Sequence, residues 1–245
     1  MLIRLDHLVL LVRDLELASA DYESLGFAVT PGGEHADGLT RNALVPFQDG
    51  TYLELVSFLD PEGPTDNVWG WRGFYPREGL IDYCAGSDDL DADARRLTSL
   101  GFGVEGHDDG GRRLPDGTNI RWRSARIRQE DRIFPFLIED LTPRDLRVPG
   151  GPETRHPNSA IGVSHLEIST PDKESAASEL AALADTAPLV RLGSCTLQPV
   201  DARDDDAQGP GPSALELAVG DPGISRELDP AVAHGAGLRL RSRVG

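Results

Sequence analysis

One helix-bounding pattern occurs twice at the same internal spacing. Asp14-Leu15 opens a stretch that Ser24-Leu25-Gly26-Phe27 closes, and Asp89-Leu90 opens one that Ser99-Leu100-Gly101-Phe102 closes. An aspartate before a periodic apolar run is a helix N-cap, because its carboxylate accepts a first-turn amide proton that has no partner within the helix. A glycine just past the run is a stop, because it enters the left-handed region without a Cβ clash. Matching cap and stop at matching separation marks an internal duplication. A third copy is more divergent: His165 precedes Asp172 by the interval that separates His7 from Asp14.

Each helix sits among strand patterns. In the first unit, residues 5–12, 27–30, 42–47 and 52–58 read as strands, with Pro31-Gly32-Gly33 as a turn and Asp49-Gly50 as a hairpin signal. The order is βαβββ. After a connection rich in Pro and Gly at 60–78, the middle unit has its helix from Asp89 and strands near 103–105, 119–125 and 134–140, with Pro115-Asp116-Gly117 as a turn. A second such connection spans 142–159. The third unit then has strands at 161–168, 189–192, 194–200 and 214–219 around a helix Glu174–Ala184. The expected class is α+β, with repeated βαβββ modules forming a cupped mixed sheet. Residues 1–141 make one domain of two modules (1–60 and 79–141), 160–220 a third βαβββ-like module, and 221–245 a tail in which Arg239, Arg241 and Arg243 alternate weakly as an edge strand.

Charge narrows the function. The formal net charge is −17, which argues against nucleic acid, since phosphate binding needs a basic face. The only lysine is Lys173, and Asp204-Asp205-Asp206 adds to the acidic excess, a combination expected of adaptation to high salt, with a GC-rich genome and acidic proteome as the alternative. No apolar run approaches the roughly 20 residues that span a bilayer. The N-terminal residues enter strand pattern without a charged-then-apolar leader, so a cytoplasmic location without membrane partners is expected. Cys84 and Cys195 lie in separate segments and read as two buried thiols in a reducing compartment.

Alternation along a strand places His7 on a face with Leu5, Val9 and Leu11, and Glu54 with Tyr52, Val56 and Phe58. In the third unit His165 lies on a strand with Val163, and Glu216 sits in Ala-Leu-Glu-Leu-Ala as Glu54 sits in Tyr-Leu-Glu-Leu-Val. A carboxylate within an apolar strand is costly unless it is paired, hydrogen-bonded or metal-bound. Imidazole with carboxylate is a ligand set for Zn, Fe, Mn or Ni. A satisfied histidine at a strand start, and a glutamate bonded to a neighbouring Arg or Tyr, are the alternatives.

The βαβββ repeat, the Leu-Asp-His opening and the Tyr-Leu-Glu-Leu closing strand resemble the vicinal oxygen chelate superfamily, which includes glyoxalase I, extradiol dioxygenases and fosfomycin-resistance proteins. The stretch from Leu5 to Asp60 is most similar to the glyoxalase-like domain. Arg113-Leu114-Pro115-Asp116-Gly117-Thr118, Arg121-Trp122-Arg123 and Phe134-Pro135-Phe136-Leu137-Ile138 fit the same subfamily. The resemblance implies two modules paired into a cup, whose first-strand His and fourth-strand Glu positions hold a divalent metal that polarises vicinal oxygens of a small substrate. Carried onto this chain, the metal ligands are His7, Glu54, His165 and Glu216, and Glu54 or Glu216 is a base for removing a proton next to a carbonyl. The middle unit departs from the pattern, with Asp82 at the histidine's place and Phe136 near the glutamate's, so a cup of units one and two would offer His7, Glu54 and Asp82, whereas a cup of units one and three would offer two His and two Glu; both pairings are open. The implied activity is that of a metal-dependent lyase, isomerase or dioxygenase acting on a small oxygenated metabolite. The alternative is a non-catalytic small-molecule binder using the same cup. A homodimer whose cup a partner chain completes is also open. No organic cofactor is implied.

Among the remaining residues, Arg113 and Arg121 are candidates for a substrate carboxylate or phosphate if they face the cup, with Trp122 beside them. The opposite orientation buries Trp122 and leaves the arginines in solvent. Trp69, Trp71, Phe74 and Tyr75 either form a lid or bury against the sheet's open end. No phosphate loop, nucleophile elbow or dinucleotide fingerprint is present.

Overall fold

The structure is a computed structural model that describes residues 2–75, 77–114, 117–186, 189–202 and 209–242. Pro115 and Asp116 of the turn, Asp204–Asp206 and Arg243 lie outside the described residues. The elements in the first two units are β1 (Leu2–Leu11), α1 (Leu15–Ser24), β2 (Thr30–Glu34), β3 (Thr40–Pro46), β4 (Tyr52–Phe58), β5 (Gly79–Ser87), α2 (Leu90–Ser99), β6 (Val104–Arg113), β7 (Asn119–Ile127) and β8 (Phe136–Asp140). A short α3 (Arg144–Arg147) leads to β9 (Ala160–Thr170), α4 (Lys173–Ala184), β10 (Arg191–Leu192), β11 (Cys195–Asp201), β12 (Gly211–Val219), β13 (Ser225–Glu227) and β14 (Gly237–Ser242). The architecture is α+β, built from repeated βαβββ modules with a third, divergent one.

The caps form as the sequence requires. Asp14, Asp89 and Asp172 accept from Leu17, Ala92 and Ser175 amides at 2.9, 2.9 and 3.0 Å. Gly26, past the end of α1, has φ +87°, where a side chain would be strained.

The first two modules form one eight-stranded sheet in the order β2-β3-β4-β1-β5-β8-β7-β6. β1 runs parallel to β4 and antiparallel to β5, and β5 runs parallel to β8, so the halves are related by a pseudo-two-fold axis between β1 and β5. The registers make the duplication explicit. Val9 pairs with Glu54 and Cys84 with Phe136, while His7 pairs with Cys84 and Val9 with Asp82. Asp82 therefore occupies the second module's counterpart of His7, and Phe136 that of Glu54.

Strict pairing along β1 and β5 fails at three points, Leu2/Arg4, Leu5/His7 and Val9/Leu10, and the middle one shapes the site. The β1–β5 register shifts between Leu5 and His7, which makes Asp6 the extra residue of a β-bulge. Leu5 consequently packs with Leu8 and Leu10 on the convex side of the sheet, whereas Val9 and Leu11 pack inside the cup with Val56 and Phe58. The sequence expectation that Leu5 shares a face with His7 is corrected by this bulge. β2 also begins later than expected and runs through Pro31-Gly32-Gly33, held to β3 with a register shift there.

The third unit does not enter the cup. It forms a separate six-stranded sheet, β10-β11-β9-β12-β14-β13, whose Val163, Leu166, Ile168, Leu215, Leu217 and Leu240 join the core on the convex side of the first sheet. Residues of the expected tail supply β13 and β14. Among the described residues, no helix is long and apolar enough to cross a membrane.

Candidate functional site

The concave side of the first sheet encloses a cavity of about 150 Å³, lined among others by His7, His35, Glu54, Arg112, Trp69 and Trp122. The order β2…β6 leaves the two outermost strands at opposite ends of the sheet, yet they meet. His35, just past β2, bridges to Arg112 on β6, and Ala36 N–H donates to the Gly111 carbonyl at 2.9 Å. The curl of the sheet thus brings two side chains far apart in sequence into one site.

His7 is fixed on every side. Its Nδ1 lies 2.8 Å from Asp6 Oδ1, Tyr52 stacks on its ring at 4.6 Å, and Phe136 meets it edge-on at 5.3 Å. The bulge makes the first contact possible, because it lets two adjacent side chains face each other. Asp6 is wholly buried and also accepts from Arg147 Nη1 and Nη2 at 3.0 and 3.1 Å, and from Arg144. Burial alone would raise the Asp6 carboxyl. The Arg147 charge, the His7 hydrogen bond and Arg144 outweigh it and hold the group well below the usual carboxylate range.

His7 Nε2 faces Glu54 Oε2 at 3.3 Å. The other Glu54 oxygen accepts from Asn42 Nδ2 at 2.5 Å and lies 3.3 Å from His35 Nε2. Burial opposes ionisation of Glu54, but the His35 and Asn42 bonds and the charge of the flanking imidazoles bring it down to about 2. His35 Nδ1 is in turn 2.7 Å from Thr40 Oγ1. Because ionised Asp6 only accepts, His7 Nδ1 carries the hydrogen. A lone pair on Nε2 would then point at a carboxylate, an arrangement that calls for a proton or a metal cation between them.

The second module's positions are differently used. Asp82 accepts from Trp71 Nε1 at 2.9 Å and Arg132 Nη1 at 2.5 Å, with burial still pulling its carboxyl upward. Phe136 packs on Trp69 at 4.4 Å. Trp69 and Trp71 therefore close the inner end of the cup rather than standing free as a lid.

Among the described residues, Asp6, His7 and Cys84 have donor atoms mutually within 4.8 Å. That cluster does not fit a cation, since two arginines saturate Asp6 and burial pushes the Cys84 thiol well up. Its arrangement is that of a carboxylate orienting an imidazole from behind. The cup side of His7 fits better. There Nε2 and the Glu54 carboxylate are nitrogen and oxygen donors of suitable chemistry, and His35 adds a second imidazole on the far side of Glu54.

His165 and Glu216 are placed elsewhere. They are cross-strand neighbours on β9 and β12 of the second sheet, half-exposed on the face turned away from the first. Glu216 lies 3.6 Å from Arg241 Nε, and Glu167 2.5 Å from Arg239 Nη1. β12 runs antiparallel to β9, whereas β4 runs parallel to β1, so Glu216 is not the topological counterpart of Glu54. Arg113 and Arg121 are exposed, while Trp122 lines the cavity. Gly110 makes room for it, since a Cβ there would sit 2.1 Å from Trp122 Nε1. Asp6, His35, Asn42, Arg112 and Arg147 were not singled out by sequence reasoning. Only Asp6, next to His7, carried a local signal.

Residues 5–184 match the glyoxalase-like domain family. The chain belongs to this family. The fold agrees with that of a hypothetical protein from Staphylococcus aureus (TM-score 0.79, 14% identity, covering 97% of this chain and 98% of that one). A mutant of 4-hydroxymandelate synthase from Streptomyces coelicolor is similar at TM-score 0.62 and 17% identity, over 90% of this chain and 72% of that one. A xylose isomerase-like TIM barrel/4-hydroxyphenylpyruvate dioxygenase fusion protein is similar at TM-score 0.54 and 14% identity, over 90% of this chain and 37% of that one. No curated protein matches the chain in sequence. Within the glyoxalase-like domain, the cup is the site at which the two modules face each other.

Proposed function

We propose that this glyoxalase-like protein is a cytoplasmic, metal-assisted enzyme of lyase, isomerase or dioxygenase type acting on a small oxygenated metabolite. The centre lies in the first module's half of the cup. The carrying observation is the approach of His7 Nε2 to Glu54 at 3.3 Å, with the opposite ring nitrogen committed to Asp6. His7 and Glu54 would hold a divalent metal, which when bound supplies a Lewis acid for a substrate carbonyl or hydroxyl oxygen. Asp6 fixes the tautomer and plane of His7. Asn42 orients Glu54. At about 2, the Glu54 carboxyl is a weak base as it stands, so its role is to ligate and to provide negative charge. Proton exchange with substrate falls to His35, which lines the cavity beside Glu54 with its Nε2 3.3 Å from the carboxylate. Trp69, Phe136 and Trp122 keep water from the reacting atoms.

The experiment is solvent deuterium incorporation, followed by NMR, into a panel of small hydroxy-ketones and keto-aldehydes. Exchange that needs added Zn, Mn, Fe or Ni and is lost in Glu54→Ala supports the reading. Metal-independent exchange, or none with any panel member, counts against it. The second reading, a non-catalytic binder, is favoured by one observation: Phe136 and the Arg132-bound Asp82 take the positions where the second module would supply ligands.

A further inference from the structure

Two arginines of the described chain are buried, Arg112 and Arg147, and they differ in one respect. Arg147 is neutralised by Asp6 and Asp140. Arg112 is 6% exposed and has no carboxylate within ion-pair distance among the described residues. Its Nη2 donates to the Arg147 carbonyl at 2.6 Å, its Nη1 reaches Asn42 Oδ1 only at 3.5 Å, and its Nε has no partner. A guanidinium withdrawn from water without a counter-ion is costly, and a carbonyl dipole offsets only part of that cost. Arg112 nevertheless lines the cavity, on the strand that closes the cup against His35.

Tyr52 lines the same cavity. Its hydroxyl accepts from Arg147 Nη1 at 2.8 Å, so the hydroxyl proton remains to be donated. The nearest wall carboxylate, Glu54, is engaged by Asn42, His7 and His35. At the rim, Asp37 and Asp109 are exposed and screened by solvent, and Asp108 is paired with Arg126 at 2.8 Å. The apolar part of the wall is Trp69, Trp71, Trp122, Phe136, Ile138 and Val68, with Thr40, Asn67 and Ser124 also on the lining.

We infer that Arg112 is the anion-binding residue of the cup, and that the substrate is a small monocarboxylate with a flat apolar body. One guanidinium balances a single negative charge and one phenol hydroxyl donates a hydrogen bond to it, which suits a carboxylate better than a phosphate dianion. The carboxylate lies between Arg112 and Tyr52, and the body lies against Trp122 and Trp69. A cavity of about 150 Å³ has room for a molecule the size of benzene. The inference rests on the cup being the substrate site, as proposed above, but not on a metal.

The test is ligand titration of the full chain in excess chelator, read by quenching of tryptophan fluorescence and by calorimetry. The probes are benzoate and its neutral counterpart benzamide, with inorganic phosphate as a third. Wild type is expected to bind benzoate at least tenfold more tightly than benzamide or phosphate. Arg112→Gln is expected to reduce that ratio to about one while retaining benzamide. Because Arg112 has no counter-ion in the fold, Arg112→Gln is also expected to leave the unfolding midpoint unchanged or raise it. A lowered midpoint with benzoate preference intact would show a structural role and overturn the inference, as would equal affinity for the two probes in wild type or tighter binding of phosphate. If Arg112→Gln does not fold, the inference falls on stability grounds, and Arg112→Lys losing no benzoate preference would not restore it. Chelator keeps this result separate from the metal reading: benzoate preference without metal supports Arg112 alone, and failure here leaves the metal content of the His7–Glu54 centre to be measured independently.

Discussion

Replacing Asp6 with Asn isolates the residue on which the site's geometry depends. Asp6 is fully buried and joins His7 Nδ1 at 2.8 Å, Arg147 Nη1 and Nη2 at 3.0 and 3.1 Å, and Arg144. Asn preserves shape but removes the charge and turns an amide N–H₂ toward a donor. Breaking a buried ion pair from one side costs about 3–5 kcal/mol. Arg147 keeps Asp140 through bonds of 2.5 and 3.0 Å, so the lower end applies, about 3 kcal/mol. For a chain of this size that corresponds to a melting point lower by roughly 6–12 °C. The loss has a pH signature. Asp6 is held below its ordinary value in the folded state, so its contribution is present above the unfolded carboxylate range and disappears as pH falls through the folded value. Calorimetric scans of parent and Asp6→Asn should therefore differ most at neutral pH and converge in strong acid. A midpoint within about 1 °C of the parent at pH 7 would refute the reasoning, since the estimate requires a drop several times larger.

Other expectations follow from the same geometry. Glu54 falls from 4.5 to about 2, so Glu54→Gln should lose on the order of 3 kcal/mol at pH 7, and chemical denaturation should show the difference shrinking between pH 4.5 and 2. Gly110→Ala should displace Trp122, visible as altered tryptophan emission and loss of cavity ligands, at a cost of about 1–3 kcal/mol for overpacking. His165→Ala with Glu216→Ala should leave bound metal unchanged by elemental analysis, because both residues lie on the other sheet. With a net charge of −17, the unfolding midpoint should rise between low and molar salt.

The helices and their duplication were legible because a cap depends on residues three apart: the Asp14–Leu17 and Asp89–Ala92 contacts are local chemistry. His7 and Glu54 were legible for a related reason, since polar groups within apolar strands need partners. The bulge was not, because an extra residue at Asp6 breaks alternation without changing composition. His35 and Arg112 were beyond reach, because they meet only when the outer strands of a curled eight-stranded sheet close on each other. The third unit shows how a local pattern can mislead about topology. Leu215-Glu216-Leu217 copies Leu53-Glu54-Leu55, yet its strand runs antiparallel to β9 and turns the glutamate away from the cup.

The most direct measurement is elemental analysis of protein purified without an affinity tag or chelator, beside the His7→Ala, Glu54→Ala double variant. A metal centre at His7 and Glu54 requires close to one equivalent of divalent metal in the parent and none in the folded variant. No metal in the parent, even after incubation with Zn, Mn, Fe or Ni, or an equal amount in both proteins, would contradict it.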